Sequence, residues 1–200
     1  GDRLRPYGEC DTFISTDAGL SWRMVARGPH KHVFADQGGL LVMAADAPSI
    51  EVVQYSFDYG TTWTTLALPE AIEPVVLTSV PDGTALKILL LGGRRAKTAH
   101  ERYASVFIDF AVLSKRKCAQ ADFERFYPAT PHGSCVGGRR QGYLRRKAQA
   151  DCFVRDKFHE PQGHDEACAC TPADYECDMG FVRSANGTCQ PTMPVPAPPG

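Results

Sequence analysis

The sequence lacks the features that would tie the chain to a membrane or to nucleic acid. It has no run of about 18 apolar residues, the length that a helix needs to cross a bilayer. It begins at Gly1 without the basic and then apolar residues of a signal peptide. The net charge is −1 at pH 7, so no overall field favours a polyanion. We therefore expect no nucleic-acid partner and no membrane contact in this segment, and we expect the segment to belong to something longer.

Cysteine is almost absent from the first half of the chain and abundant in the last third. Cys10 stands alone, whereas seven cysteines lie within residues 118–189. That density is typical of secreted disulfide scaffolds and predicts an oxidising compartment, which is the endoplasmic reticulum, the Golgi lumen, the vacuole or the cell exterior. Asn186 opens an Asn-Gly-Thr sequon, which fits the same compartment and predicts a glycosylation site. Eight cysteines allow too many pairings for the count alone to choose one.

An octapeptide of the form Ser-x-Asp-x-Gly-x-Ser/Thr-Trp occurs at residues 15–22 and again at 56–63, a spacing of 41 residues. This spacing is typical of a four-stranded propeller blade. The Asp is expected to accept backbone N–H bonds, the Gly to supply a positive φ, and the Trp to cover the outgoing hairpin. Because these polar groups are needed by their own backbone, we interpret the octapeptides as structural. Their fixed positions are Ser15, Asp17, Gly19, Ser21, Trp22, Ser56, Asp58, Gly60, Thr62 and Trp63.

Short apolar runs between turn residues predict an all-β fold for residues 1–113. The octapeptide does not recur near residue 97, and the strands amount to between about one and a half and three blades. Repeat units bury their faces only against neighbours, so we expect the last blades of a larger β-propeller. The predicted strands cover residues 9–14, 21–25, 30–35, 39–44, 51–56, 62–66, 74–80, 86–91 and 103–110, with turns at 36–39, 81–83 and 92–95.

From Ser114 onward the strand signals become weaker and the closely spaced cysteines begin. Residues 114–190 are predicted to form an incomplete cysteine-rich module, and residues 191–200 a proline-rich linker or truncated end. Residues 115–147 hold nine basic and two acidic side chains, whereas 148–200 hold three basic and eight acidic ones. The simplest explanation of this uneven charge is that these side chains form a solvated surface. Of the functional explanations, we favour one in which the basic run at residues 139–147 binds the acidic residues 151–178 of the same module, over a docking surface for an acidic partner.

Several motifs together resemble the sortilin family of vacuolar and lysosomal sorting receptors, and most closely its fungal vacuolar branch. The lumenal domain of that family is a ten-bladed propeller followed by a module with ten cysteines. The resemblance includes both octapeptides, known as Asp boxes, and the Cys-x-Cys pair at Cys168 and Cys170. It also includes residues 105–110 ahead of Cys118, and residues 122–124, 133–137, 143–147, 174–178 and 187–189.

The resemblance implies the disulfides Cys118–Cys152, Cys135–Cys168 and Cys177–Cys189. It leaves Cys170 without a partner, because the family's module has three further cysteines that this sequence does not reach. It leaves Cys10 without one as well, because its usual partner in the propeller is not in this sequence. It also implies a lumenal fragment of a single-pass receptor that binds soluble hydrolases or peptides for transport from the Golgi to the vacuole or endosome. No catalytic residue, metal or cofactor is expected, and this piece is expected to be mainly structural.

A fragment of a sialidase-like glycoside hydrolase is the main alternative, because such enzymes also carry Asp boxes. Most glycosidases need two carboxyl groups about 5–10 Å apart. Asp17 and Asp58 are expected to be held in turns, which leaves Glu51, Glu70 and Glu73 as candidates only because they are acidic. No arginine cluster that would bind a substrate carboxylate is evident, since the Arg94-Arg95 pair lies in a predicted Gly-rich loop.

Two further alternatives are a zinc site and a pH switch made of histidines. Zinc could be held by Cys168, Cys170, Cys177 and Cys189 with His159 or His164 nearby, but this spacing matches none of the usual zinc motifs. His132, His159 and His164 are weak candidates for a pH switch. His30 and His32 share one face of a predicted strand and are expected to be ordinary surface or hydrogen-bonded residues.

Overall fold

The computed structural model describes residues 4–94, 102–130, 133–156 and 163–192. Within these ranges the chain forms thirteen β-strands and five short 3-10 turns, and no α-helix. The all-β prediction is confirmed. None of the described helical turns is long and apolar enough to cross a bilayer.

The strands are numbered in chain order. They are β1 (Thr12–Ile14), β2 (Arg23–Ala26), β3 (His30–Ala35), β4 (Leu40–Ala45), β5 (Ile50–Ser56), β6 (Thr64–Thr78), β7 (Lys87–Gly93), β8 (Tyr103–Asp109), β9 (Phe123–Phe126), β10 (Arg139–Arg146), β11 (His164–Ala167), β12 (Phe181–Arg183) and β13 (Cys189–Pro191). The 3-10 turns are Tyr7–Glu9, Asp36–Gly38, Phe110–Leu113, Gln120–Asp122 and Pro172–Asp174.

An antiparallel meander dominates the fold. Strands β3 to β8 form one six-stranded sheet in which each strand pairs with the next one along the chain. The first octapeptide joins β1 to β2 in a separate hairpin, and the second joins β5 to β6 within the large sheet. Strands β11, β10 and β9 form a small sheet in that order, and β12 pairs with β13. Connections between neighbouring strands explain why the sequence shows turn signals at short intervals.

Strand β6 differs from the prediction, which had separate strands at residues 62–66 and 74–80. The structure has one strand of 15 residues, which pairs first with β5 and then with β7. The pairing register shifts between Ala67 and Ile72, and residues 68–71 bulge opposite β5. Pro69 lies in this bulge, where its missing N–H breaks no ladder bond. The proline therefore bends the strand instead of ending it.

The buried core lies on one face of the large sheet and includes one side chain from the cysteine-rich segment. Phe153 is fully buried, and its ring lies 5.7 Å from that of Phe57. Burial of a phenylalanine side chain contributes roughly 2–3 kcal/mol. The core consists of Ala35, Leu40, Val42, Ala44, Ile50, Val53, Ile72, Leu77, Ile88, Leu90, Ile108, Phe110 and Phe153.

The chain divides into two compact units. The first comprises residues 1–125 with 144–161, and the second comprises residues 126–143 with 162–200. The first unit thus contains the large sheet together with the part of the cysteine-rich segment that carries Cys118, Cys152 and Phe153. The second contains the remaining paired cysteines and strands β11 to β13.

Gly92 shows why glycine is needed inside β7. The sequence placed Gly92 and Gly93 in a turn, but both lie in the strand. A Cβ atom on Gly92 would come within 2.0 Å of Ile72 Cγ2 and 2.5 Å of the Glu73 carbonyl oxygen. The close approach of β6 therefore excludes any side chain at this position.

We predict that Gly92→Ala lowers the free energy of unfolding by about 3 kcal/mol, because β6 must move to admit the methyl group. Gly8→Ala is the control, since nothing lies within 4 Å of a Cβ at that position. The control should change stability by less than about 0.5 kcal/mol. Urea unfolding measures both variants, and equal effects would contradict the proposed close approach.

Candidate functional site

The second Asp box is a closed hydrogen-bonded turn. The Asp58 carboxylate accepts from the Thr62 amide at 2.8 Å and from the Thr62 hydroxyl at 2.7 Å. Ser56 Oγ donates to Asp58 at 2.7 Å and accepts from the Gly60 amide at 2.8 Å. The Trp63 indole N–H donates to the Gly60 carbonyl at 3.0 Å. The Ser56, Asp58 and Thr62 side chains are therefore bonded within their own loop, whereas the Tyr59 hydroxyl donates to the Arg146 carbonyl.

The first Asp box repeats this pattern. The Ser21 amide donates to Asp17 Oδ1 at 2.9 Å, and the Gly19 amide donates to Ser15 Oγ at 2.7 Å. Trp22 donates to the Gly19 carbonyl at 3.1 Å. The residue before each glycine also has a positive φ, which is 62° at Ala18 and 57° at Tyr59. The turn thus needs two successive left-handed residues, whereas the sequence had indicated only the glycine.

Both Asp-box carboxylates are held in the ionised form. Hydrogen bonds from the Ser21 hydroxyl and amide, and from Ser15, lower the pKa of Asp17 from 3.8 to about 2. Partial burial raises the pKa of Asp58, but hydrogen bonds from Thr62 outweigh it, so that pKa is also lowered. A carboxylate in this state is a poor proton donor near neutral pH. Neither residue is suited to be the general acid of a glycosidase.

A buried arginine is the most connected polar group of the first unit. The Arg146 side chain is only 3% exposed. One guanidinium nitrogen donates to the Gly39 carbonyl at 2.8 Å and to the Phe57 carbonyl. The other donates to the carbonyls of Ala150 and Cys152. Arg146 therefore joins the start of β4, the second Asp-box hairpin and the loop that leads to the Cys118–Cys152 disulfide.

Asp36 provides a second buried connection beside Arg146. Its carboxylate accepts from the Val154 amide at 2.9 Å and the Arg155 amide at 3.1 Å. Burial raises the pKa of Asp36, against the opposing effect of those amides and of the Arg146 charge. A Cβ atom on Gly39 would lie 3.0 Å from Arg146 Nε and 3.2 Å from Asp36 Oδ2, so the missing side chain leaves room for both groups. We call Arg146, Asp36 and their backbone partners the Arg146–Asp36 clasp.

The turn that carries Asp36 is strained. Asp36, Gln37 and Gly38 all have positive φ values, of 48°, 55° and 84°. A left-handed conformation costs roughly 1–2 kcal/mol for a residue other than glycine. The Gln37 side chain donates to the Asp156 carbonyl at 3.1 Å, which adds to the bonds of the clasp. The bonds to residues 154–156 therefore help to keep a conformation that Asp and Gln would not adopt alone.

The cysteine pairs in the structure are the same pairs that the sortilin resemblance implies. They are Cys118–Cys152, Cys135–Cys168 and Cys177–Cys189. Cys118 and Cys152 also lie on backbone segments that bond each other, since the Cys118 amide donates to the Phe153 carbonyl at 2.8 Å. Cys10 and Cys170 are free. Three of the four thiols of the zinc alternative are consumed in disulfides, so that alternative is wrong.

The basic residues are used inside the molecule. Arg145 pairs with Glu124 at 2.8 Å and donates to the Thr16 carbonyl at 3.0 Å. Lys147 donates to the Ala121 carbonyl at 2.8 Å. In the second unit, Arg139 lies 3.4 Å from Asp165, and the Arg140 guanidinium stacks 3.8 Å above the Tyr127 ring. These basic side chains thus bind partners within the chain. Asp165 and Glu124 are acidic, whereas the other partners are backbone carbonyls and an aromatic ring.

The histidine candidates do not come together. His30 Nδ1 lies 3.0 Å from both the Thr12 hydroxyl and the Gly28 carbonyl, which ties β3 to the first hairpin. The His32 ring packs edge-on against Phe34 at 6.0 Å. His164 lies 3.7 Å from Glu166 in the second unit. His132 and His159 lie outside the described residues.

Two concave surfaces in the first unit are candidate binding sites. An apolar cleft of about 390 Å³ lies beside both Asp boxes and is lined by Phe13, Trp22, Phe34, Met43 and Trp63, with no acidic residue in its lining. A larger depression of about 840 Å³ has one carboxylate in its lining, Glu73, together with Arg94 and Arg102. Among the residues that the structure describes, neither lining contains the carboxylate pair that most glycosidases require.

The depression brings together two arginines that the sequence had kept apart. The Arg94 amide donates to the Arg102 carbonyl at 2.9 Å, and both residues line the depression. The Arg94 guanidinium pairs with both oxygens of Glu70 at 3.2 Å. Glu51 is exposed on β5 and lines neither surface. Arg95, the neighbour with which Arg94 was grouped, lies outside the described residues.

Comparison with known families accounts for both parts of the chain. A family model described as sortilin, neurotensin receptor 3, C-terminal, matches residues 79–200. Another, described as sortilin, neurotensin receptor 3, matches residues 1–77. The chain belongs to the sortilin family. The Asp-box strands and the cysteine-rich segment therefore share one family, and neither match supports the glycosidase alternative.

Fungal members of the sortilin family are similar over the whole chain. The relatives are named vacuolar protein sorting/targeting protein 10. The protein of Mycosarcoma maydis is 48% identical over 195 residues, which is 96% of this chain and 13% of the relative. The proteins of Aspergillus clavatus and Ajellomyces capsulatus are each 41% identical over 100% of this chain and 14% of the relative. The chain thus spans about one seventh of the length of these relatives.

Sequence reasoning missed the clasp because nothing local distinguishes its residues. Arg146 stands in a basic run, and Asp36 stands in an ordinary turn sequence. Hydropathy would predict that Leu144 is buried and Arg146 exposed, but in β10 Leu144 is 61% exposed and Arg146 is buried. A buried arginine can be identified only once the distant carbonyls that it binds are brought to it.

We predict that Arg146→Lys lowers the free energy of unfolding by about 2–4 kcal/mol. A single ammonium cannot reach four carbonyls on three segments, and each buried carbonyl left without a donor costs about 1–3 kcal/mol. Arg23→Lys is the matched control, because Arg23 is exposed and makes one long bond of 3.4 Å to the Tyr59 carbonyl. Denaturant titration measures the free energy of unfolding of both variants. An Arg146→Lys variant as stable as Arg23→Lys would show that a positive charge at position 146 is enough for stability.

The Asp17 carboxylate should stabilise the fold at the pH of acidic vesicles and lose that effect only in strong acid. Its pKa is about 2 in the folded protein and 3.8 without the turn. A lowered pKa stabilises the fold above the unfolded value, and the contribution disappears as pH falls toward the folded value. Wild type should therefore lose more unfolding free energy between about pH 4 and about pH 2 than Asp17→Asn does. Parallel acid profiles would contradict this expectation.

Proposed function

We propose that this chain is a lumenal part of a sorting receptor that takes soluble hydrolases or peptides from the Golgi to the vacuole or endosome. The name of the fungal relatives, vacuolar protein sorting/targeting protein 10, supports this role, as does the disulfide framework. The parent is a single-pass membrane protein whose cargo contacts lie largely outside this segment. The role is binding rather than catalysis.

Within that receptor, residues 1–113 are the last blades of the propeller, residues 114–190 are part of the cysteine-rich module, and residues 191–200 are a linker. Residues 193–200 lie outside the described residues. The Asp boxes support this division, because they close one hairpin beside the large sheet and another within it. The first piece of the module supports it as well, because Phe153 completes a core that is otherwise built from the sheet and the turn that follows it.

The role of this piece is to brace the end of the propeller. The Arg146–Asp36 clasp is the observation that carries this proposal. Four carbonyls and two amides from the sheet side and the module side are satisfied by two buried side chains. The Cys118–Cys152 disulfide holds the module side of the clasp in place. A propeller end needs such a brace because each repeat is stabilised mainly by its neighbours.

The sorting role is tested in cells that express the full-length protein. We expect deletion of the gene to send soluble vacuolar hydrolases out of the cell, and re-expression of wild type to restore their delivery. The secreted fraction of a hydrolase, measured by immunoblot of the medium, is the readout. Unchanged delivery after deletion would reject the receptor role.

The bracing role has its own test. In the same cells Arg146→Lys should raise the secreted hydrolase fraction and lower the level of the receptor, whereas Arg23→Lys should act like wild type. Limited proteolysis of the purified full-length protein should cut within the last blades of Arg146→Lys first. Normal delivery and normal protease resistance in that variant would reject bracing while leaving the receptor role intact.

A further inference from the structure

The only asparagine of the chain lies at the tip of its last hairpin. Asn186 stands between β12 and β13, and the hairpin is closed by the Cys177–Cys189 disulfide. The Ser184 amide donates to the Thr188 carbonyl, and the Gly187 amide donates to the Ser184 carbonyl, each at 2.9 Å. Asn186, Gly187 and Thr188 are all exposed. The tip is thus an ordered turn that presents Asn186 to solvent.

The hydrogen bonds at Asn186 all converge on one atom of its side chain. Asn186 Oδ1 accepts from the Thr188 hydroxyl at 2.7 Å, from the Thr188 amide at 3.1 Å and from the Ser184 hydroxyl. Among the described residues no partner is bonded to Nδ2. The turn therefore fixes the carboxamide of an exposed residue by its oxygen.

The surroundings leave room for a large substituent. Gly187 has a φ of 84°, and nothing lies within 4 Å of the position that its Cβ would occupy. The hairpin below the tip exposes Phe181 and Val182, and Met179 beside it is fully exposed. The exposed tip leaves room for a bulky polar group on Asn186, which would lie near these apolar side chains.

We propose that Asn186 is an N-glycosylation site and that the glycan stands on Nδ2 as the outermost group of this hairpin. The donor is a lipid-linked diphosphate oligosaccharide of the secretory pathway. Nδ2 loses a proton and forms a bond to the anomeric carbon of the first sugar, while the bond from that carbon to the diphosphate breaks and the lipid diphosphate leaves. The Thr188 hydroxyl is the positioning group, because it holds Oδ1 and so orients the nitrogen. This proposal rests on the lumenal location in the proposed function.

Peptide mapping of the full-length protein from its own cells tests the site. After reduction, the tryptic peptide that begins at Ser184 contains the only asparagine of this segment. Glycosidase release in heavy-oxygen water should convert Asn186 into labelled aspartate, and without the enzyme the unmodified peptide should be almost absent. A predominantly unmodified peptide would overturn the proposal.

Three variants separate the chemistry from the fold. Asn186→Asp keeps Oδ1 but has no Nδ2, so it should lose one glycan and keep the Cys177–Cys189 disulfide. Thr188→Ser should keep the glycan, and Thr188→Ala should lose it. A protein of unchanged mobility in Asn186→Asp would overturn the site even if Thr188→Ala failed to fold.

Protease protection in intact microsomes distinguishes failure of this proposal from failure of the proposed function. A segment that is protected and carries no sugar overturns the glycosylation site alone. A segment that is digested from the cytosolic side overturns the lumenal location, and with it both proposals. A protected segment that carries the glycan supports both.

Discussion

The buried guanidinium of Arg146 is the interaction on which the first unit depends. It is surrounded by carbonyl oxygens of residues 39, 57, 150 and 152, which come from three separate segments of the chain. Burial of a charge is costly unless hydrogen bonds compensate it, so these segments must keep their positions together, although Arg146 Nε has no partner among the described residues. The Asp36 carboxylate beside it does the same for the amides of residues 154 and 155. The polar contacts thus specify one arrangement, while Phe153 supplies the apolar part of the same junction.

The Asp boxes have a different and purely local role. In each one the Ser, Asp and Ser/Thr side chains satisfy their own backbone, and the tryptophan N–H bonds its own loop. The lowered pKa values of Asp17 and Asp58 follow from those hydrogen bonds, and they keep the turns ionised where a vesicle is acidic. A receptor that passes from the Golgi to acidic compartments needs hairpins that survive the change. The turns therefore suit the proposed route.

The second unit uses disulfides and short strands in place of a large core. Cys135–Cys168 and Cys177–Cys189 cross-link segments whose strands are only three to eight residues long. Small modules with little apolar area commonly rely on such bonds, since these reduce the entropy of the unfolded chain. The hairpin of β12 and β13 is the clearest case, because its apolar side chains are exposed and its tip presents Asn186. A glycan at that position would give this small hairpin a hydrophilic cover.

The sequence by itself determined what depends on neighbouring residues. The Asp boxes and most strand positions follow from turn chemistry and short-range alternation, and the order of cysteines indicated the sortilin family. Only the tertiary structure decided what depends on distant residues. It joined two predicted strands into β6, because Pro69 falls in a bulge where no N–H is required. It placed Gly92 against Ile72, and it buried Arg146 while leaving Leu144 exposed. A charged side chain is buried only when remote carbonyls meet it, and no local pattern records where those carbonyls will be.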